Sequence, residues 1–144
     1  MCSAFRARIQ QPSAGGGFVV QQRQKILIID DNEEVLKTIS QFLSQKNYDV
    51  VAASNGLDAL KMCESSHGGF DLIVTDLVMP NITGVAIVAI VKERYPKVPV
   101  IAITGWGEHP EALATEAKAD IVLEKPFELD EFHRIIQDLL THGN

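Results

Sequence analysis

The sequence predicts a single α/β domain built around a parallel β-sheet, and two repeating patterns support this prediction. Short continuous apolar runs, of which Ile26-Leu27-Ile28-Ile29 is the first, are typical of strands buried on both faces. Between them lie segments whose apolar residues recur every three or four positions, as in amphipathic helices. Five strands alternating with five helices imply right-handed crossovers and helices packed against the sheet.

The strands and helices follow one another with little intervening sequence. The strands are predicted at residues 26–29, 48–53, 72–76, 98–103 and 121–123. The first helix carries Val35, Ile39, Phe42 and Leu43 on one side, and the second carries Leu57, Leu60 and Cys63. The last helix is expected to bury Leu129, Phe132, Ile136 and Leu139. The third helix is predicted at residues 84–95, and a short, weakly anchored helix at residues 111–118.

Several helix ends are marked by capping and breaking residues. Ser54 is the expected N-cap of the second helix, and Gly68-Gly69 is its expected end. Pro96 stops the third helix, and Pro110 suits the first position of the short helix.

Composition excludes several classes of protein. The net charge of −6 disfavours broad binding of nucleic acid or anionic membranes by the domain itself. Cys2 and Cys63 offer neither a disulfide framework nor zinc-ligand spacing, which favours a reducing, cytoplasmic location. Cys63 is expected to be a small buried hydrophobic residue, and the four scattered histidines are expected to lie on the surface.

Residues 1–24 are expected to be a disordered N-terminal extension, and residues 25–144 the folded domain. Gln, Ser and Gly dominate the extension. Its glycine run leads into Phe18-Val19-Val20 instead of the Lys-Ser/Thr pair and helix of a phosphate-binding loop.

Four of the predicted strands lead into polar residues that do not belong in an apolar core. Asp30 and Asp31 follow the first strand, Asp76 ends the third, Thr104 follows the fourth, and the fifth leads into Lys125. Because the carboxyl ends of parallel strands meet at one edge of the sheet, these side chains are expected to converge. Any one of them alone would be a cap, a turn residue or a solvated charge, but the five together indicate a site.

The five side chains suit the handling of a phosphoryl group. Three neighbouring carboxylates repel one another, and a divalent cation relieves that repulsion. Oxygen-only ligands favour Mg²⁺, which retains waters and accepts a phosphate oxygen as a further ligand. Lys125 can neutralise a second phosphoryl oxygen and Thr104 can donate a hydrogen bond to a third, so the set predicts a carboxylate that accepts phosphoryl.

Four segments resemble, in the right order, the motifs of response-regulator receiver domains. They are Ile28-Ile29-Asp30-Asp31-Asn32, Asp76-Leu77-Val78-Met79-Pro80-Asn81 with Gly84, Ile103-Thr104-Gly105, and Glu124-Lys125-Pro126-Phe127. The resemblance spans residues 25–141, and the ordered set is far more specific than any one motif. It implies a doubly wound (βα)5, flavodoxin-like fold with strand order 2-1-3-4-5.

The resemblance also implies a role for each residue of the set. Asp76 would be the phosphoacceptor of a two-component phosphorelay, with Lys125 and Thr104 binding the phosphoryl oxygens. The Lys125–Pro126 peptide bond is expected to be cis. Such a domain is not an enzyme in the usual sense, because it assists only its own phosphorylation and dephosphorylation.

The metal ligands follow from the same resemblance. Asp31 would bind Mg²⁺ directly, Asp30 mainly through water, and Asp76 through its carboxylate. The backbone carbonyl of Val78 would complete the protein's share of the coordination.

The expected partners are a histidine kinase or phosphotransfer protein, and a downstream protein or a second copy of the chain. The output surface would be the face of the fourth helix, the fifth strand and the fifth helix. Neither nucleic acid nor a membrane is expected to bind this domain.

One residue departs from the family pattern, and two alternative functions stay open. Val122 occupies a position where many members carry Tyr or Phe, so a switch based on ring rotation cannot be carried over. One alternative is a receiver-like interaction module that is never phosphorylated. The other is a Mg²⁺-dependent aspartyl-phosphate phosphatase, although such enzymes carry a second acid two residues after the nucleophile, where this chain has Val78.

Overall fold

The computed structural model describes residues 23–67, 69–77, 79, 83–105 and 118–142. The strands are β1 (Lys25–Ile29), β2 (Asp49–Ala53), β3 (Leu72–Asp76), β4 (Val100–Thr104) and β5 (Ile121–Glu124). The helices of this part of the chain are α1 (Glu33–Gln45), α2 (Gly56–Ser65), α3 (Gly84–Arg94) and α4 (Leu129–His142). The extension before Arg23 and nearly all of the short helix predicted at residues 111–118 lie outside the described residues.

The strands form one parallel sheet in the order β2-β1-β3-β4-β5, so the predicted fold class and strand order are confirmed. All four strand pairings are parallel, which brings the carboxyl ends of the strands to one edge of the sheet. None of the helices in the described ranges has the length and apolar content that crossing a membrane requires.

The sheet separates two apolar layers, which explains the continuous apolar runs. Leu27 and Ile29 of β1 pack with α2 and α3, whereas Ile26 and Ile28 of the same strand pack with α1 and α4. Alternate side chains of a strand point to opposite faces, so a strand covered on both faces must be apolar at every position. β3 and β4 are buried at all five of their positions for the same reason.

The second helix begins differently from the prediction. Its N-cap is Asn55 and not Ser54, because the Asn55 side-chain oxygen accepts a hydrogen bond from the Asp58 amide at 2.8 Å. The buried positions are then Gly56, Ala59 and Cys63. Leu57, one of the three apolar residues by which the sequence marks this helix, therefore lies on the outer face, where 53% of it is exposed.

The end of the same helix also differs from the prediction. The helix ends at Ser65, before Gly68-Gly69. His67 adopts the left-handed conformation, with φ of 55°, and its amide donates to the Glu64 carbonyl. A non-glycine residue can therefore close this helix, because the hydrogen bond to the last turn offsets the steric cost.

Lys92 explains why β4 starts at Val100 and not at the predicted residue 98. Its ammonium group donates to the carbonyls of Pro96 and Val98 and to the Asp120 carboxylate, at 3.2, 3.0 and 2.9 Å. The same carboxylate oxygen accepts from the Val100 amide at 2.8 Å. Lys92 thus holds the residues before β4 in a turn against the end of α3, and the strand begins after them.

His133 was predicted to lie on the surface, but it is partly buried between α1 and α4. Its Nε2 lies 3.2 Å from the Tyr48 hydroxyl. The imidazole ring meets the rings of Tyr48 and Phe42 edge to face, with centroids 5.6 and 6.1 Å apart. Cys63 is buried as predicted, and burial raises the pKa of its thiol to about 11.

The packing around His133 predicts a pH-dependent contribution to stability. Burial lowers the pKa of His133, the nearby Lys46 lowers it further, and Asp130 opposes the change. The unfolded chain therefore takes up the proton first, at a pKa of about 6.5. His133 is expected to favour the folded state fully above that pH and to lose this contribution as the pH falls below it.

Urea unfolding between pH 7.5 and 5.5 measures this effect. The free energy of unfolding should fall more steeply in the parent protein than in His133→Gln, which cannot titrate. His67→Asn is the matched control, because Asn tolerates a positive φ, and it should keep the slope of the parent. Equal slopes for the parent and His133→Gln would contradict the assignment.

Candidate functional site

The structure brings the five predicted side chains together at the carboxyl edge of the sheet. Asp30, Asp31 and Asp76 each offer one carboxylate oxygen, and these three oxygens lie within 4.8 Å of one another. Lys125 places its ammonium group 3.6 Å from Oδ2 of Asp76. Thr104, the last residue of β4, is fully buried.

Asp30 is held at this edge by contacts with its neighbours in the fold. Its amide donates to the Ala53 carbonyl at the end of β2, at 3.2 Å. Its carboxylate accepts a hydrogen bond from the backbone amide of Asn32 at 2.8 Å. Asn32 then caps α1 by accepting from the amides of Glu34 and Val35 at 2.9 and 3.2 Å. The start of the first helix and the direction of the Asp30 carboxylate are therefore set by the same turn.

The electrostatic balance at Asp30 favours the arrival of positive charge. Burial is the main cause that raises the pKa of Asp30, and the neighbouring charges of Asp76 and Asp31 raise it further. The hydrogen bond from the Asn32 amide and the charge of Lys125 act in the opposite direction. Because the causes that raise the pKa of Asp30 prevail, a nearby cation would favour the charged form of this carboxylate.

The donor set fits Mg²⁺. All three side chains offer oxygen, which a hard divalent cation prefers. Asp31 is exposed, whereas Asp30 and Asp76 are only 2% and 7% exposed, so the cluster opens to solvent on one side. A cation held there could keep water molecules and still reach all three carboxylates. The backbone carbonyl of Val78, predicted as a further ligand, lies outside the described residues.

Lys125 lies beside Asp76, and Thr104 ends the neighbouring strand β4, one residue after the register partner of Asp76. The Thr104 hydroxyl is buried and has no hydrogen-bond partner within the described part of the chain. A buried hydroxyl without a partner is costly, so it is suited to a ligand oxygen. The Lys125 amide donates to the Thr104 carbonyl at 2.9 Å, which ties the two residues together. The Lys125–Pro126 peptide bond is cis, as predicted.

Gly84 is required because the start of α3 packs against the backbone of Asp76. A Cβ atom at this position would collide with the Asp76 carbonyl oxygen and would lie 2.6 Å from Cα of Leu77. Sequence reasoning included Gly84 in a motif but offered no physical reason for it. The third helix can approach the acceptor residue only because no side chain stands between them.

Two features of the site escaped sequence reasoning. Thr75 is fully buried, and its hydroxyl donates to the Asp76 carbonyl at 3.0 Å. Its only signal in the sequence is a hydroxyl in an otherwise apolar strand. The second feature is the hydrogen bond from the Asn32 backbone amide to Asp30, which depends on the turn geometry and could not be predicted.

Known proteins resemble this chain in sequence and in fold. A family model described as the response regulator receiver domain matches residues 26–137. The transcription factor SKN7 of Chaetomium thermophilum is 33% identical over 115 residues, which cover 78% of this chain and 15% of that protein. The alkaline phosphatase synthesis transcriptional regulatory protein PhoP of Bacillus subtilis is 30% identical over 115 residues, which cover 78% of this chain and 47% of that protein.

A solved structure agrees with these sequence matches. The response regulator protein TrrA from Thermotoga maritima, in complex with Mg²⁺ and BeF, superposes with a TM-score of 0.72. It is 28% identical, and the match covers 81% of this chain and 98% of that one.

The chain belongs to the response regulator receiver domain family. It is therefore a receiver domain of the kind found in two-component response regulators, which is a signalling domain. The matched region spans 15% of the length of SKN7 and 47% of the length of PhoP, so the activities of those whole proteins are not assigned to this chain.

The crowded carboxylates predict that neutralising Asp30 stabilises the metal-free protein. Asp30→Asn removes one of three negative charges and keeps an oxygen that can accept from the Asn32 amide. In EDTA at neutral pH, we expect the melting temperature to rise by a few degrees. The gain should shrink at acid pH, because the raised pKa of Asp30 means that the parent then carries a proton there.

Thermal unfolding followed by circular dichroism tests this expectation. Asp49→Asn is the matched control, because Asp49 is an exposed carboxylate at the opposite edge of the sheet. A lower melting temperature for Asp30→Asn than for the parent in EDTA would show that the cluster is not under repulsion.

The packing at Gly84 predicts a large cost for a single methyl group. Gly84→Ala should lower the free energy of unfolding by about 2–3 kcal/mol, because the atoms in its way belong to the backbone of Asp76 and Leu77. Urea denaturation measures the change. Ala89→Ser, at an exposed position of the same helix, should stay close to the parent, and an equally mild effect of Gly84→Ala would refute the close approach.

Proposed function

We propose that this receiver domain accepts a phosphoryl group on Asp76, with Mg²⁺, from the phosphohistidine of a kinase or phosphotransfer protein. The observation that carries the proposal is the surroundings of the Asp76 carboxylate. It lies among two further carboxylates, 3.6 Å from the Lys125 ammonium group and near a buried hydroxyl that has no described partner. An ordinary surface aspartate needs none of these neighbours.

The transfer follows from what each group can do. An oxygen of the Asp76 carboxylate attacks phosphorus, the P–N bond to the donor imidazole breaks, and its electron pair stays on the ring nitrogen. When bound, Mg²⁺ neutralises charge on the carboxylates and on one phosphoryl oxygen. Lys125 attracts a second phosphoryl oxygen, and the Thr104 hydroxyl donates to the third.

The metal ligands in this proposal are Asp30, Asp31, Asp76 and the backbone carbonyl of Val78. As the resemblance to receiver domains implies, Asp31 would bind the cation directly and Asp30 mainly through water, and in the structure Asp31 is exposed whereas Asp30 is buried.

The output surface in this proposal is the face of β5 and α4, together with the short helix that the sequence predicts at residues 111–118. Phosphorylation would give the Thr104 hydroxyl a phosphoryl oxygen as partner, and this new contact would shift the equilibrium between two conformations of the domain. A downstream protein or a second copy of the chain would bind there. Val122 is partly buried against the α2–α3 layer, so any movement of β5 occurs without an aromatic ring.

Phosphorylation with a small phosphodonor tests the proposal directly. Incubation with acetyl phosphate or phosphoramidate and Mg²⁺ should add one phosphoryl group, detected by intact-protein mass spectrometry. Asp76→Asn should take up none, because an amide cannot form the acyl phosphate. Excess EDTA should abolish labelling of the parent, because the carboxylates then repel the phosphodonor.

The matched control is Asp49→Asn, which removes an exposed carboxylate at the far edge of the sheet and should label like the parent. Labelling of Asp76→Asn at the parent's rate would refute Asp76 as the acceptor. A parent that stays unlabelled by donors and by a panel of phosphorylated histidine kinases would favour a receiver-like interaction module. Multiple turnovers per chain would favour a phosphatase.

A further inference from the structure

The peptide group that joins Asp76 to Leu77 is held at both ends by hydrogen bonds. Its carbonyl oxygen accepts from the Thr75 hydroxyl at 3.0 Å. Its N–H group, which belongs to Leu77, donates to the Ile103 carbonyl of β4 at 2.9 Å. A planar peptide group fastened on both sides cannot rotate without breaking one of these bonds.

The next peptide group is held as well. The Leu77 carbonyl accepts from the Gly84 amide at 3.0 Å, at the start of α3. The Leu77 side chain is only 1% exposed and packs in the layer beneath α2 and α3. The chain that leaves Asp76 therefore departs in one direction, set by β4 on one side and α3 on the other.

The Thr75 side chain holds the Asp76–Leu77 peptide group through its hydroxyl. It is fully buried in a strand whose preceding residues are Leu72, Ile73 and Val74, where valine would fill the same space. A hydroxyl buried at such a position costs free energy unless it is hydrogen-bonded. Because adjacent strand residues point to opposite faces, Thr75 faces away from the carboxylate of Asp76 and cannot reach a ligand held there.

We propose that Thr75 is a positioning residue for the phosphoryl transfer, acting on Asp76 through the backbone. Its hydroxyl fixes the Asp76–Leu77 peptide group, and with it the direction of the acceptor carboxylate and of the chain that leaves it. The inference rests on the proposed function for its effect on transfer. Its effect on the backbone and on cation binding stands independently.

Two variants separate positioning from simple packing. Thr75→Val keeps the shape and removes the hydroxyl, whereas Thr75→Ser keeps the hydroxyl and removes a methyl group. Thr38→Val makes the same chemical change at an exposed position of α1 and is the matched control. Circular dichroism and thermal unfolding first establish that each variant is folded.

Three measurements follow on the folded proteins. Amide hydrogen exchange of Leu77 in the metal-free protein should be about fivefold faster in Thr75→Val, because its peptide group has lost one anchor. The dissociation constant for Mg²⁺, measured by titration calorimetry, should rise by a similar factor. The maximal rate of labelling by phosphoramidate at saturating Mg²⁺ should fall about fivefold, and Thr75→Ser and Thr38→Val should remain near the parent in all three.

The outcomes distinguish this proposal from the proposed function. If Thr75→Val matches the parent in Leu77 exchange, Mg²⁺ affinity and labelling rate, the positioning role is overturned and Asp76 remains the acceptor. The same conclusion follows if Thr75→Ser is impaired as much as Thr75→Val, since packing would then be the cause. If the parent is never labelled but Thr75→Val still alters Leu77 exchange and Mg²⁺ affinity, the positioning role holds and the proposed function fails.

Discussion

The crowding of negative charge at one edge of the sheet is the constraint on which the described site depends. Asp30 and Asp76 are almost fully buried, and with Asp31 their carboxylate oxygens converge within 4.8 Å. Burial and the charges of Asp76 and Asp31 raise the pKa of Asp30, so bringing this carboxylate to the edge of the sheet costs free energy that nearby positive charge offsets. Lys125 supplies one positive charge from within the chain. The remaining imbalance makes the site receptive to a cation and, through the cation, to an anionic phosphoryl group.

Such a site can persist only on a scaffold that is stable without it. β3 and β4, which carry Asp76 and Thr104, are buried at every position between two apolar layers, and burial of this kind is the main favourable term in folding. The functional groups follow directly at the strand ends, where the backbone is still held by the sheet. Short polar contacts then set their directions, as the Asn32 amide does for Asp30 and the Thr75 hydroxyl does for the Asp76 peptide group.

Sequence reasoning succeeded where the physics is local and failed where it is not. The continuous apolar runs predicted the ends of the central strands to within about two residues. A strand buried on both faces is apolar at nearly every position, so its extent can be read directly from the run. The outward position of Leu57 does not follow from the sequence, because Leu57, Leu60 and Cys63 share one apolar spacing and only packing against the sheet decides which of them are covered. The burial of His133 was missed because its neighbours, Phe42 and Tyr48, lie far away in the chain.

The sequence by itself determined the alternation of strands and helices, and it placed acidic, hydroxyl and ammonium groups after particular strands. Those features follow from local patterns of apolar residues and from the identity of single residues. Only the tertiary structure decided that the Thr104 hydroxyl has no hydrogen-bond partner among the described residues, and that position 84 has no room for a side chain. It also decided that Thr75 holds the peptide group after Asp76. Each of these depends on distances of a few ångströms between segments remote in sequence, or on the orientation of one peptide group. Packing sets such distances, and no local pattern encodes them.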